Sequence, residues 1–390
     1  MTDEAFIAQN KDADVRALAL SKVPDGINLR YCLQQIAGRQ TAEKKLPSWT
    51  KIEGVLYPAK LSMEQCSSEQ TARYKHQLVK RLLPEGRQKM VDLTGGFGID
   101  FSFLAKYFEE ADYVEQDETL CEIARHNFPL LGLKKATVHN KTCEDFLDGM
   151  GNFCFIYLDP SRRDAVGRKV VALSDCSPNV ESMQDKLLEH APIVLVKLSP
   201  MLDIQDTIRR LHNVSEVHVV SVESECKEVL MVLRSQRMSN EACYYCTNIT
   251  ESVQTFCAQS RDFEPDIANC LDHYLYEPNA SILKAGVQNA LCQSYGVKKL
   301  HPFSHLFISS HFIEDFPGRT FMIEDSCCFT KKDLKRMLAD INQCNLTVRN
   351  FPATVAELRK RLKLREGGNI YLFATTLSDN SHVLIRCRQL

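Results

Sequence analysis

Between residues 89 and 233 short apolar runs alternate with amphipathic stretches, and the last two runs are joined by residues 223–228 alone. Alternation of this kind is the sequence form of a parallel sheet covered by helices. The runs predict strands over 90–94, 112–115, 136–139, 153–159, 193–198, 216–222 and 229–233. Helical spacing appears at Phe101-Leu104-Ala105-Phe108 and Leu120-Ile123-Ala124-Asn127, and a further helix fits 204–211. A parallel neighbour needs a crossover of roughly a dozen residues or more, so the short final link makes the seventh strand antiparallel to its partner. Nicotinamide-binding domains are parallel throughout, and this hairpin sets the chain apart from them.

A chain of 390 residues exceeds what one core normally serves, so several domains are expected. Residues 1–87 read as helical; the clearest helix starts at Ser67 or Ser68, where Ser67-Ser68-Glu69-Gln70 has capping-box spacing, and stops near Leu83 before Pro84. The α/β alternation occupies 88–238. Beyond it, strands over 242–249, 306–309, 370–375 and 382–386 mix with helices over 281–295, 333–341 and 355–364, which predicts one or two small α+β modules. The polar start of the chain and the lack of any long apolar run predict a cytoplasmic protein without a membrane span. Its sixteen cysteines are then expected to be reduced thiols. Cys243 and Cys246 have Cys-x-x-Cys spacing with no second ligand pair following, so no metal is expected.

The chemistry concentrates at the ends of the predicted strands. Asp92, Thr94, Gly95, Gly96 and Gly98 form a glycine-rich turn between strand and helix, where a ligand can approach the backbone closely. Counting from Gly96, the dinucleotide fingerprint needs glycine at position 101, where Phe101 stands. Glu115 ends the second strand, where an acid can accept from ribose hydroxyls. From Glu115 and Gln116 to Asn127 the sequence resembles the second-strand motif of class I S-adenosylmethionine (SAM) methyltransferases. Cys143 and Glu144 lie where those enzymes contact adenine; many of them carry Asp where Thr142 aligns. Asp159-Pro160-Ser161-Arg162 resembles the Asp/Asn-Pro-Pro-Tyr motif of amino-group methyltransferases, with Ser161 and Arg162 replacing the second Pro and the aromatic. By that resemblance these four residues are the catalytic candidates, Asp159 orienting the nucleophile. Arg163 and Lys197 are candidates for holding the substrate. Cys154 sits inside the fourth strand, away from where a pyrimidine-attacking thiol would be needed.

Together with residues 65–75, Lys197 to Pro200 and Lys227-Glu228, these motifs resemble the bacterial methyltransferases that carry a THUMP-like C-terminal domain. The resemblance implies a Rossmann-like seven-stranded sheet, SAM as cofactor, a linker strand and ferredoxin-like module over 239–325 followed by a THUMP-like module over 326–390, and an RNA substrate (tRNA or rRNA). Charge points the same way: residues 331–390 hold twelve Lys/Arg against five Asp/Glu, in a chain whose net charge is -2. Arg359, Lys360, Arg361 and Arg365 in that stretch are the RNA-contact candidates. A methyltransferase for a small molecule or a protein, and a SAM- or RNA-binding module without catalysis, are the competing expectations. The sequence leaves the oligomeric state open.

Overall fold

A computed structural model describes residues 1–85, 87–161, 173–236 and 241–390. The chain forms two compact units, Met1–Ser215 with Leu230–Met238, and Glu216–Val229 with Ser239–Leu390.

In the first unit, β1 (Lys89–Asp92), β2 (Glu110–Glu115), β3 (Ala136–Asn140), β4 (Phe155–Leu158) and β5 (Ile193–Leu198) lie in the order β3-β2-β1-β4-β5. The β3/β2, β2/β1, β1/β4 and β4/β5 pairs are all parallel. Order reverses at β1, so the crevice beyond the carboxyl ends of β1 and β4 is where a ligand fits such a sheet. Strand β4 is buried along its whole length, as a central parallel strand covered on both faces must be.

The N-terminal region is helical, as its composition suggests, and it packs onto the glycine turn and helix Glu118–Leu130. Trp49, 2% exposed, meets the glycine-turn residue Phe97 edge-on with ring centroids 5.2 Å apart. Asn127 donates to Leu56 O and accepts from Leu56 N, both at 2.9 Å, tying helix Glu118–Leu130 to the chain before the sheet. Helix Glu69–Leu82 is capped by Ser68, whose hydroxyl accepts from Thr71 N. Ser67 is released for another partner.

The second unit opens with Glu216–Val229, the turn and inner ends of a hairpin. Strands β6 (Val214–Val222) and β7 (Glu225–Arg234) are joined by Glu223 and Ser224 alone, at φ 49° and 60°. The antiparallel turn is therefore real but tighter than the 223–228 link expected, because both turn residues take the left-handed conformation of a two-residue hairpin without the Asn-Gly that usually signals it. Strands β8 (Cys243–Ile249) and β9 (Val253–Ala258) then extend β6, β8 parallel to β6 and β9 antiparallel to β8.

A second sheet has the order β11-β12-β10-β13-β16-β15-β14, built from β10 (Tyr274–Pro278), β11 (Lys298–Lys299), β12 (Phe307–Ser309), β13 (Gly318–Cys328), β14 (Gln343–Arg349), β15 (Arg365–Thr376) and β16 (His382–Gln389). Its faces alternate as period-two geometry requires: Leu372 faces Leu334, Met337 and Leu358 of two covering helices, whereas the next residue, Phe373, joins Leu275, Phe321 and Ile385 on the other side. The single helix expected over 281–295 is two, Ala280–Ala285 and Ala290–Tyr295, because Gly286 at φ 73° caps the first. All sixteen cysteines are free thiols. Among the described residues no helix is long and apolar enough to cross a membrane, and no cluster of His, Cys, Asp and Glu could hold a metal ion.

Candidate active site

The glycine turn is fixed from below by its neighbours. Gly95 N donates to Val114 O at 2.8 Å, and the Tyr113 hydroxyl donates to Gly96 O. A Cβ on Gly95 would overlap the Tyr113 ring, and one on Gly98 would come within 3.0 Å of Phe128. Gly96 differs. At φ 55°, a Cβ there would meet nothing nearer than Thr94 O at 3.9 Å, so that side of the turn is open. Glu115 looks onto it: one carboxylate oxygen accepts from Gly96 N and the other from Asp117 N, both at 2.8 Å. A carboxylate offers about four lone-pair sites, so acceptor capacity remains on both oxygens. Gln116 beside it is exposed.

Asp92 is 1% exposed at the end of β1. Burial pushes its carboxyl well up, against the 2.9 Å hydrogen bond that it accepts from Thr94 N, and the negative fields of Asp100, Asp159 and Glu115 add to the rise. Thr94 in turn accepts from Asp159 N through Oγ1 at 2.6 Å, which locks the glycine turn to the end of β4. Thr142 caps helix Cys143–Leu147 by accepting from Asp145 N. Cys143 is buried, and burial first, then Glu144 and Asp92, push its thiol up to about 12; it stays protonated at neutral pH. Glu144 is exposed.

Past β4, Asp159 is partly exposed, Pro160 is buried, and Ser161 pairs with Ser177 through two backbone hydrogen bonds of 2.8 and 3.0 Å. Arg162 and Arg163 lie outside the described residues. Cys154 sits just before β4, at the opposite end of the strand from Asp159, and donates to Gln88 Oε1.

Beneath Asp159 lies a set of buried charges of which the sequence singled out Lys197, as a substrate contact, but neither Lys75 nor Asp100. Lys197 Nζ, on a side chain only 12% exposed, pairs with Asp159 Oδ2, donates to Ser67 Oγ at 3.0 Å and lies 3.6 Å from Asp100 Oδ2. Asp100 Oδ2 also accepts from Ser67 Oγ at 2.6 Å and Tyr157 OH at 2.7 Å, and Asp100 Oδ1 lies 3.1 Å from the fully buried Lys75 Nζ. Burial would raise the Asp100 carboxyl, but Lys75, Lys197 and the two hydroxyls outweigh it and hold the group well below the usual carboxylate range. A signal for these residues existed: Lys75 sits three residues from Ala72 and from Leu78, on the apolar face of its helix; Asp100 lies inside Ile99-Asp100-Phe101; and Lys197 interrupts the apolar strand β5. Charges inside apolar patterns are buried only when paired.

The candidate basic residues divide. Arg359 turns inward, 18% exposed, donating to Cys344 O at 3.3 Å and lying 3.7 Å from Glu366. Lys360 and Arg361 are exposed on helix Val355–Leu362, and Arg365 is exposed at the start of β15.

The chain is similar over 99% of its length, at 32% identity and a TM-score of 0.87, to 97% of a solved protein of Porphyromonas gingivalis W83 described as a "putative methyltransferase". The chain belongs to this methyltransferase family. The family's two C-terminal modules are matched separately, a ferredoxin-like domain over 274–317 and a THUMP domain-like one over 318–389. A SAM-dependent methyltransferase of Agrobacterium tumefaciens aligns at 15% identity over 44% of this chain and 63% of its own (TM-score 0.34), and an rRNA methylase of Streptococcus thermophilus at 11% over 42% and 95% (TM-score 0.31). A search of curated proteins returns no match.

Proposed function

We propose that the protein transfers a methyl group from SAM to a nucleotide of RNA, tRNA or rRNA, with Asp159 orienting the nucleophile. The observation that carries this is the disposition of Asp159: its backbone is locked to the glycine turn through Thr94, its Oδ2 is taken by Lys197, and its Oδ1 meets no protein donor among the described residues.

SAM fits the residues present. The open side of Gly96 is a cradle that a side chain would fill, and Glu115 holds acceptors over it for a ribose, with Gln116 and Glu144 exposed nearby in sequence to the strands that end there. Bound SAM supplies an electrophilic methyl group on a sulfonium. What remains for the protein is chiefly alignment, since charge disperses in such a displacement and no strong base is required. RNA as acceptor is supported by the THUMP domain-like match and by the exposed Lys360, Arg361 and Arg365, which suit phosphate contacts; Arg359 is committed to its own fold. Arg162 and Arg163, following Asp159 in sequence, remain proposed substrate contacts, as do residues 326–390 as the RNA-binding module.

The test uses the full chain, labelled SAM and lysate from cells lacking the protein, divided into nuclease-treated and protease-treated aliquots. Label lost only with nuclease supports RNA; label lost only with protease, or surviving both, moves the acceptor to protein or to a small molecule. Glu115→Ala should weaken SAM binding by about 1.5 to 3 kcal/mol, roughly ten- to a hundredfold by calorimetry. Unchanged affinity in a folded variant removes Glu115 from the site. Asp159→Ala should keep SAM and lose transfer. Reversing Lys360, Arg361 and Arg365 to Glu should flatten the salt slope of RNA filter binding by about 0.7 per lost contact. A slope indifferent to all three reversals defeats the RNA module.

A further inference from the structure

The charge set under Asp159 reaches 130 positions along the chain, from Ser67 to Lys197. Among the described residues it contains two cations, Lys75 and Lys197, and two carboxylates, Asp100 and Asp159. Only Asp159 approaches solvent: side-chain exposure is 36% there, 12% at Lys197, 8% at Asp100 and zero at Lys75. A carboxylate at a strand end turns freely about its last bond unless something holds it. Here one oxygen is held and, among the described residues, the other is open.

We infer that Lys197 is a positioning residue that clamps Asp159 through Oδ2 so that Oδ1 faces the methyl acceptor, and that Ser67, Lys75 and Asp100 hold Lys197 in place. The inference rests on the proposed methyl transfer and adds to it the residues on which Asp159 depends. A lysine ammonium has three donors. Lys197 directs donors to Asp159 and Ser67, and the Asp100 carboxylate 3.6 Å away adds an ion pair that holds the Nζ in place. Lys75 then supplies the second positive charge that the inner carboxylate needs, from a helix that precedes the sheet. The N-terminal helical region thereby becomes part of the working site. In the transfer, the acceptor's lone pair forms the new bond to the methyl carbon, and the carbon–sulfur bond breaks with its electron pair left on sulfur. For an amino acceptor the released proton passes to Asp159 Oδ1 and from there to water. Lys75 and Asp100 are closed off from solvent, so they serve as support and not as a proton exit.

Two measurements test the inference on the full chain. The first needs no acceptor: a double-mutant cycle between Lys197→Met and Asp159→Ala, read by urea denaturation, should show coupling of about tenfold in the unfolding constant, as expected for groups in direct contact. Additive effects would overturn the clamp. The second measures single-turnover transfer of labelled methyl to the same lysate. Lys197→Met should slow it by about a hundredfold, the scale of a misaligned reacting group. SAM affinity and the acceptor concentration for half-maximal rate should not change. Ser67→Ala, a small change that leaves all four charges present, should slow it by a lesser factor in the same direction. Full activity in both variants, alongside an inactive Asp159→Ala, overturns this inference alone. An active Asp159→Ala instead overturns the role proposed for Asp159, and the clamp falls with it.

Discussion

Two parts of the candidate site hold their atoms in place by different means. The glycine turn is local: residues 94–98 follow one another, and Tyr113 and Glu115 come from the adjacent strand. Its shape is enforced by backbone conformation and by the lack of room for side chains. The charge set gathers Ser67, Lys75, Asp100, Tyr157, Asp159 and Lys197 from well-separated stretches of chain, and among the described residues it is enforced by the pairing of opposite charges. A turn fails gradually when one residue changes. A buried, balanced set of charges does not, because each deletion leaves an opposite charge stranded in a low dielectric.

The sharpest way to break that contrast is Asp100→Ala, which removes the carboxylate 3.1 Å from the fully buried Lys75 Nζ. The expected loss is about 3 to 5 kcal/mol, measured by urea denaturation near neutral pH. A loss below about 1 kcal/mol, the size expected of an exposed ion pair, would show that the set is not balanced as described. The pH dependence has a definite sign. The folded carboxyl lies below its unfolded value of about 3.9, so its stabilisation is complete above about pH 5 and disappears as the pH falls through the folded value. The acid limb of the wild-type stability curve should therefore be steeper than that of Asp100→Ala.

The same contrast explains what the sequence made legible. The turn, the place of Glu115 and the ends of the strands were readable because they follow from residue type and spacing along a short stretch. Ser67 was readable only as a possible helix cap, a duty that belongs to Ser68, and Lys197 only as a lysine that could reach substrate or solvent. Their partners lie too far along the chain for any local pattern to join them. The fold shows the same division. The central parallel strands β4 and β5 declared themselves through apolar runs, whereas β13, with Arg319, Glu324, Asp325 and Ser326 in its length, offers no clean alternation and is defined by its neighbours β10 and β16. The hairpin at Glu223 and Ser224 hid its length for a related reason: neither residue is the type that favours the conformation it adopts.

Gly95→Ala tests the turn where it is most crowded. The added methyl group would overlap the Tyr113 ring, which is buried and tied to Gly96 O by its hydroxyl, so it cannot swing aside cheaply. Overpacking of this kind costs about 1 to 3 kcal/mol. SAM affinity should fall only as far as the turn is displaced, and Gly95→Ala combined with Tyr113→Ala should recover part of the stability. No recovery in the double variant would mean that the turn is not seated on Tyr113.

Gly96→Ala carries the smallest expected effect on the fold and separates the turn's two duties. Space is open at this position, so the only structural cost is the left-handed backbone, about 1 to 2 kcal/mol for a residue with a Cβ. If that open side is where SAM lies, the methyl group occupies part of the cradle, and affinity by calorimetry should drop by more than tenfold in a protein that remains folded. Gly95→Ala should show the opposite balance, with the larger share of its effect in stability. Equal losses of affinity for the two variants, once corrected for unfolded protein, would erase the distinction between a face that supports the turn and a face that receives the ligand. A Gly96→Ala variant with unchanged affinity would move the cofactor off the turn altogether, leaving Glu115 as its remaining anchor.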